Sequence, residues 1–144
     1  HAVFRGVGVG GGSLINAGIA VIPTSGQVRD TFPDVPVSEF LGTYLERAKR
    51  MLRISYRDME WFERTPWFQY ARVGRRYGAA AGYGVDYNGS AYSFDYMRKE
   101  EAGVVPRSAF DFEQQYGNNY GRFGSVDQTY IAAALARGMS ALRP

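Results

Sequence analysis

The sequence contains no cysteine, which excludes disulfide frameworks, thiolate zinc clusters and thiol nucleophiles together. Its single histidine is His1, at a terminus prone to fraying, so metal-dependent hydrolysis and Ser-His-Asp chemistry are not expected within this chain. No catalytic residue and no metal ligand is assigned. No apolar run approaches the roughly 20 residues that a bilayer-spanning helix needs, and no signal-peptide pattern opens the chain. Aliphatic residues are scarce. The 6 leucines, 5 isoleucines, 12 valines and 9 phenylalanines together make about 22% of the chain, close to the floor for burying enough surface to fold.

What fills the gap is glycine (18) and tyrosine (11), residues of loops and of half-buried aromatic surface that packs on a neighbour or a ligand. The 144 residues, 45% hydrophobic with a net charge of +3, have the size and balance of one soluble domain. With so thin an aliphatic core, and with no Met at the start, the chain reads as a piece of a larger fold. Arginine outnumbers lysine 15 to 2; codon preference accounts for this as well as anion recognition does.

Residues 2–21 combine a glycine cluster with the β-branched run LINAGIAVI, ended by Pro23, Thr24, Ser25 and Gly26, and predict a loop followed by an extended segment. From Ser38, taken as N-cap, Phe40, Leu41, Tyr44, Leu45, Ala48, Met51 and Leu52 fall on one helical face, with Glu46 and Arg50 spaced to pair and Gly42 as a weak point. Thr65 and Pro66 predict a second helix that ends near Gly78. Residues 79–96 predict irregular structure with a turn at Asn88-Gly89. Ser125 and Gln128 read as a capping box for a third helix that Gly138 stops.

Gly6, Gly8 and Gly11 satisfy GxGxxG, and Asp30 lies near where a ribose ligand would be sought. That motif needs a helix directly after the glycines to meet the pyrophosphate, whereas a β-branched run and Pro23 follow here. A P-loop fails because no Lys follows Gly11 and Gly12. An isolated GGGS is more often a plain turn. Here five glycines in seven positions, followed by Ser13, Asn16 and Gly18, leave a backbone with little side-chain cover that a flat ring can approach.

The segment GVGGGSLINAGIAV, from Gly8 to Val21, resembles the flavin-covering loop of the glucose-methanol-choline (GMC) oxidoreductase family, in its bacterial cholesterol oxidases. The likeness continues in order through RAKRMLR, DMEWFERTPWFQYARV, DYMRKEEAGVVPRSA, YGNNYG and SVDQTYIAAAL, over nearly the whole chain. The resemblance implies FAD as cofactor. Gly12, Asn16, Ala17 and Ile19 match flavin-contacting positions, and Gly11, Ser13 and Gly18 match supporting ones. Two departures stand out: Ala17 where the family usually has Gly, and Ile19 for a common Met beside flavin and substrate.

By that resemblance the chain is an interior fragment of an FAD-binding α/β fold with an α+β substrate region. Residues 1–24 would hold the flavin-covering loop, 25–122 part of the substrate domain, and 123–144 a helix returning to the FAD domain. The implied activity is oxidation of a secondary alcohol such as a sterol 3-hydroxyl, by hydride transfer to flavin and reoxidation by dioxygen to peroxide. The family's catalytic Glu, His and Asn have no counterpart here, so the fragment alone is expected to be inactive. Implied partners are the sterol, the rest of the parent polypeptide and, transiently, a membrane surface; secretion from a bacterium is common among relatives. Tyr92, Phe94 and Tyr96 are expected to line an apolar cavity, against the simpler reading of plain core packing.

Two other classes compete. Residues 47–76 hold nine Arg or Lys against three acids, interleaved with Trp61, Phe62, Trp67, Phe68 and Tyr70, a mixture that suits nucleic acid. Solvated arginine faces on helices with inward aromatics explain it more simply, and no RNP, KH or zinc-finger pattern is present. A non-catalytic interaction module with exposed Tyr and Gly is the other. Glu100 and Glu101 diverge on a helix and are expected to be solvated and without a role.

Overall fold

Helices begin in this chain mostly where a short oxygen-bearing side chain takes up the first free backbone amides. The computed structural model describes residues 7–111, 116 and 124–140. Thr24 opens α1 (Ser25–Thr31) with a full capping box: its hydroxyl accepts the Gln27 N–H at 3.2 Å, and the Gln27 side chain accepts the Thr24 N–H at 2.8 Å. The next helical segment joins α2 (Val37–Glu39), a π-turn over Phe40–Tyr44 and α3 (Leu45–Met51). Its entry is Pro36, so Ser38 lies inside the first turn and is not the cap. The wide turn falls on Gly42, the expected weak point. Glu46 pairs with Lys49 at 2.7 Å, and not with Arg50.

Asp58 caps α4 (Met59–Arg64) by accepting the Glu60 and Trp61 amides at 2.9 and 3.2 Å. Thr65 then caps a 3-10 turn, Pro66–Phe68, which leads into α5 (Gln69–Ala80) two residues past the expected end. Ser93 accepts the Tyr96 amide at 3.2 Å and starts α6 (Phe94–Glu101), whose first three residues fall in the stretch 79–96 expected to be irregular. Near the C-terminus a π-turn over Asp127–Ile131 runs into α7 (Ala132–Leu135). The Ser125–Gln128 box does not form: Val126 is the cap, and its side chain makes no capping bond. Buried Ser125 instead offers its carbonyl to the Thr129 hydroxyl at 2.7 Å.

Four helices end on the same Schellman arrangement, two backbone bonds closing around one left-handed residue. Gly82, Gly103 and Gly138 hold that place after α5, α6 and α7, Gly138 as expected. After α3 the place belongs to Arg53, φ 54°, the one non-glycine at positive φ among the described residues. Its N–H bonds the Arg50 carbonyl at 3.2 Å, and the Ile54 N–H bonds the Lys49 carbonyl at 2.9 Å.

The sheet is small and antiparallel. β1 (Ile19–Ala20), in the segment expected to be extended, pairs with β2 (Gly89–Ser90), Ile19 opposite Ser90 and Ala20 opposite Gly89. Ser55 bridges Ser90 with amide–carbonyl bonds of 2.8 and 2.9 Å. Gly89 therefore belongs to a strand and not to a turn; a Cβ there would stand 2.7 Å from Ile54 and 3.0 Å from the Tyr56 ring. Helices with an antiparallel pair make an α+β architecture; the parallel sheet of an α/β fold is not among the described residues. The boundary at 122/123, Gly6, and YGNNYG apart from Tyr116 lie outside the described residues.

The core is aromatic, as scarce aliphatics require. Tyr92, Phe94 and Met97 pack with Trp61, Phe68 and Phe110. Phe62 is buried between Phe68 and Tyr87, with ring centroids 5.3 and 4.8 Å away. Two substitutions test this description. Arg53→Gly removes the left-handed strain at the end of α3 and is expected to stabilise the chain by about 0.5–1 kcal/mol. Gly124→Ala drives a Cβ into the Leu52 carbonyl and is expected to cost about 3 kcal/mol or more. Urea denaturation followed by circular dichroism measures both.

Candidate functional site

The glycine cluster folds as a 3-10 turn over Gly11–Leu14. Gly10 and Gly11 take φ of 105° and 52°, left-handed values that explain glycine at both. Ser13 fastens the turn: its hydroxyl donates to the Gly10 carbonyl at 2.7 Å and accepts the Val126 N–H at 2.9 Å. That second bond joins the loop to the helix start 113 residues later. One side of the turn is packed, because a Cβ at Gly10 would meet Asp127 and Leu14 at 3.2 Å. Its other side is open among the described residues: at Gly11 and Gly12 a Cβ would meet none of their atoms within 4 Å.

Past the turn the residues diverge. The Asn16 side-chain oxygen accepts the Gly18 N–H at 2.7 Å, an Asx-type turn that holds Gly18 at φ 66°. The left-handed place is thus Gly18 and not Ala17, so alanine at 17 carries no backbone strain. Asn16 is exposed, and its NH2 has no partner among the described residues. Ser13, Asn16, Gly18 and Ile19, together with Ile54, Ala91 and Val126, line a groove of 230 Å³. Ala17 faces elsewhere, into a cavity of 420 Å³ walled by Trp67, Phe68, Tyr92, Phe94 and Phe110. Gly11 and Gly12 stand outside both.

Alternation along residues 89–92 separates the two spaces. Ser90 and Tyr92 line the aromatic cavity, while Ala91 between them lines the groove. This wall is bonded on both sides: the Ala91 N–H donates to the Gly18 carbonyl at 2.7 Å, and its carbonyl accepts the Gly124 N–H at 2.9 Å. Ser55 adds a side-chain tie, donating its hydroxyl to the Tyr92 carbonyl and accepting the Phe94 N–H at 3.3 Å. Beside the loop, Asp127 Oδ1 is buried with no hydrogen-bond partner among the described residues.

Of the three aromatics expected at the cavity, Tyr92 and Phe94 line it and Tyr96 does not. Both also belong to the buried core, so cavity and core share one wall. Glu100 and Glu101 are not the idle solvated pair that adjacency implied. Glu100 is 2% exposed, and its carboxylate accepts the Ala109 and Phe110 amides at 3.2 Å each. Glu101 accepts the Thr65 hydroxyl at 2.6 Å and the Trp61 indole N–H. A signal for them existed: Ser93 followed by Asp95, then Arg98 and Lys99, then Gly103, carries the start and stop pattern of a helix on which Phe94, Met97 and Glu100 share a face.

The basic stretch is largely occupied. Lys49, Arg64 and Arg75 pair with Glu46, Glu60 and Glu63 at 2.7, 2.8 and 3.3 Å. Arg47, Arg50, Arg53 and Arg76 are exposed, as expected of solvated arginine faces; Arg72 and Arg57 depart from that expectation and turn inward. Arg72 donates to the Phe62 carbonyl at 2.6 Å. The Arg57 guanidinium sits over Tyr87 at 4.3 Å, Phe62 at 5.2 Å and Phe94 at 5.7 Å, and bonds the Asn88 carbonyl at 2.6 Å. Burial pulls its pKa below the ordinary value, against the opposing pull of Tyr87. Trp61, Phe62 and Phe68 are inward as expected; Tyr70 is 94% exposed.

No model of a known protein family matches this chain. Among the described residues no group of three His, Asp or Glu side chains is arranged to hold a metal ion, and no helix is long and apolar enough to cross a membrane. The site therefore rests on the loop, the groove and the aromatic cavity. Ser13→Ala tests the fastening: it leaves the Val126 amide without an acceptor and is expected to lower stability by about 1–3 kcal/mol. Limited proteolysis should then cut first in the glycine turn; unchanged stability and cleavage would show that Ser13 is not the tie.

Proposed function

We propose that this chain supplies the flavin-covering loop and part of the substrate cavity of an FAD-dependent alcohol oxidase of the GMC type. The observation that carries the reading is the placement of Ala17. Its neighbours Ser13, Asn16, Gly18 and Ile19 border one space, and Ala17 borders the apolar cavity on the other side of the same backbone. A loop that borders a cofactor and a substrate at once needs that geometry.

The residues present suit a flat ring. Gly11 and Gly12 offer backbone with no side chain and no neighbour above them. Asn16 offers an NH2 donor held in place by its own bond to Gly18, and Ile19, 66% exposed, offers apolar contact. Asp127 Oδ1 leaves one buried acceptor next to Gly10. When bound, FAD would accept hydride from a secondary alcohol and pass the electrons to dioxygen. The chain's own part is to orient and to exclude water: Ser13 fixes the loop, and Phe68, Tyr92, Phe94 and Phe110 provide dry walls for a rigid apolar substrate such as a sterol.

The nucleic-acid reading is weaker on these contacts, since five of its nine cations are paired or turned inward and, of its five aromatics, Trp61, Phe62 and Phe68 pack in or against the core. Two variants in the enzyme that contains this segment test the oxidase reading. Gly12→Ala meets no atom of the described residues, so it should leave stability unchanged while weakening flavin retention about tenfold by blocking close approach. Asn16→Ala should weaken it by about tenfold through the lost donor. The visible spectrum reports bound flavin, and peroxide release with cholesterol against a simple alcohol reports substrate. A colourless protein without sterol-dependent peroxide would overturn the proposal.

A further inference from the structure

Glu100 and Glu101 end α6, and the reading above gives them no part. Successive residues on a helix point about 100° apart, so the two carboxylates address different segments. Glu100 is buried and holds the Ala109 and Phe110 amides. Glu101 holds the Trp61 indole and the hydroxyl of Thr65, the cap of the turn that carries Trp67 and Phe68. Ala109 and Phe110 form one wall of the aromatic cavity, Trp67 and Phe68 another, and α6 itself contributes Phe94 and Met97. The two walls meet where the Trp67 ring stacks on Phe110, centroids 4.4 Å apart and planes within 14°.

We infer that Glu100 and Glu101 are positioning residues that set the spacing of the cavity walls, and so the size of apolar ligand the cavity admits. Neither lines the cavity; each acts through the segment it holds, Glu100 through the Ala109 and Phe110 amides and Glu101 through Trp61 and Thr65. Dispersion contacts between rings are non-directional and allow sliding, whereas a carboxylate accepting two donors fixes both in distance and angle. A well-packed apolar side chain would fill the place of Glu100 without the desolvation cost of a buried carboxylate. What it would lack is that fixed geometry. Trp67 and Phe110, stacked between the two clamped segments, take their separation from both carboxylates.

The inference concerns the cavity alone and does not require flavin, so flavin loss in other variants leaves it intact. It is tested by titrating the chain with a small and a large apolar fluorophore, naphthalene and pyrene. Glu101→Gln and Glu100→Gln each replace one acceptor by a donor that opposes the N–H or O–H it held. Each is expected to change the ratio of pyrene to naphthalene affinity about tenfold, the scale on which small changes of apolar pocket shape discriminate ligands. Glu46→Gln, at an exposed ion pair with Lys49, should leave the ratio unchanged. Glu101→Gln should also shift tryptophan emission, since the single remaining oxygen cannot hold both the Trp61 N–H and the Thr65 hydroxyl as the carboxylate does. Glu101 is exposed, so its variant decides the matter if Glu100→Gln does not fold. An unchanged ratio in a folded variant, an equal loss for both probes, or no binding of either probe to the unaltered chain would overturn the inference.

Discussion

Residues 89–92 are the constraint on which the rest of the molecule turns. Their backbone is bonded to Ile19 and Ala20 through the strand pair, to Ser55 through a bridge, to Gly18 through the Ala91 amide and to Gly124 through the Ala91 carbonyl. Segments from across the described sequence therefore meet on four residues. Because side chains alternate along an extended backbone, this one stretch gives Ser90 and Tyr92 to one space and Ala91 to the other. The contacts are close: Gly89 lies against Ile54 and the Tyr56 ring, and Gly124 against the Leu52 carbonyl, with no room for a Cβ at either. Small residues here are a condition of assembly.

That assembly compensates for a weak aliphatic core. With few leucines and isoleucines, the buried centre is built from rings, and rings leave gaps unless their orientation is fixed. Polar side chains supply the orientation. Ser55 holds the start of α6, Glu101 holds Trp61, Glu100 holds Phe110, and Arg57 lies over Tyr87, Phe62 and Phe94. Only Glu101 bonds a ring atom, the Trp61 indole N–H; Ser55 and Glu100 bond the backbone amides of Phe94 and Phe110, Arg57 lies over ring faces, and the rings so placed enclose a cavity of 420 Å³.

How far the sequence reveals this depends on the range of each interaction. The Thr65-Pro66 start, the weak point at Gly42, the stop at Gly138 and the extended run at Ile19 are local and legible, since a cap, a wide turn or a β-branched run acts within a few residues. Ser38 and Ser125 misled because a Ser next to a helical pattern can also sit inside the turn or in the core, and tertiary contacts decide which. The role of Ser13 is set by Val126, and those of Glu100 and Glu101 by the turns they reach; no spacing within one helix reports such partners. Tyr92 and Phe94 at the cavity are expected from the resemblance and from no local pattern, while the exclusion of Tyr96 follows from the direction of the first turn of α6.

The glycine loop shows how structural need and available space can be told apart. Gly10, Gly11 and Gly18 are accounted for by left-handed backbone, and Gly10 also by the nearness of Asp127. Gly12 is accounted for by neither: its φ is not positive, and a methyl group there would touch nothing among the described residues. Within a 3-10 turn an alanine would cost less conformational entropy than glycine does. The chain itself thus gains nothing from the missing side chain at that position. Gly42 and Gly74 share this property on helix surfaces, so openness alone does not mark a site. What sets Gly12 apart is its setting, next to the fastening Ser13 and four residues before the free amide of Asn16, on a loop whose following residues border both spaces. On the flavin reading proposed above, a bare backbone at that place leaves room for a ring to approach.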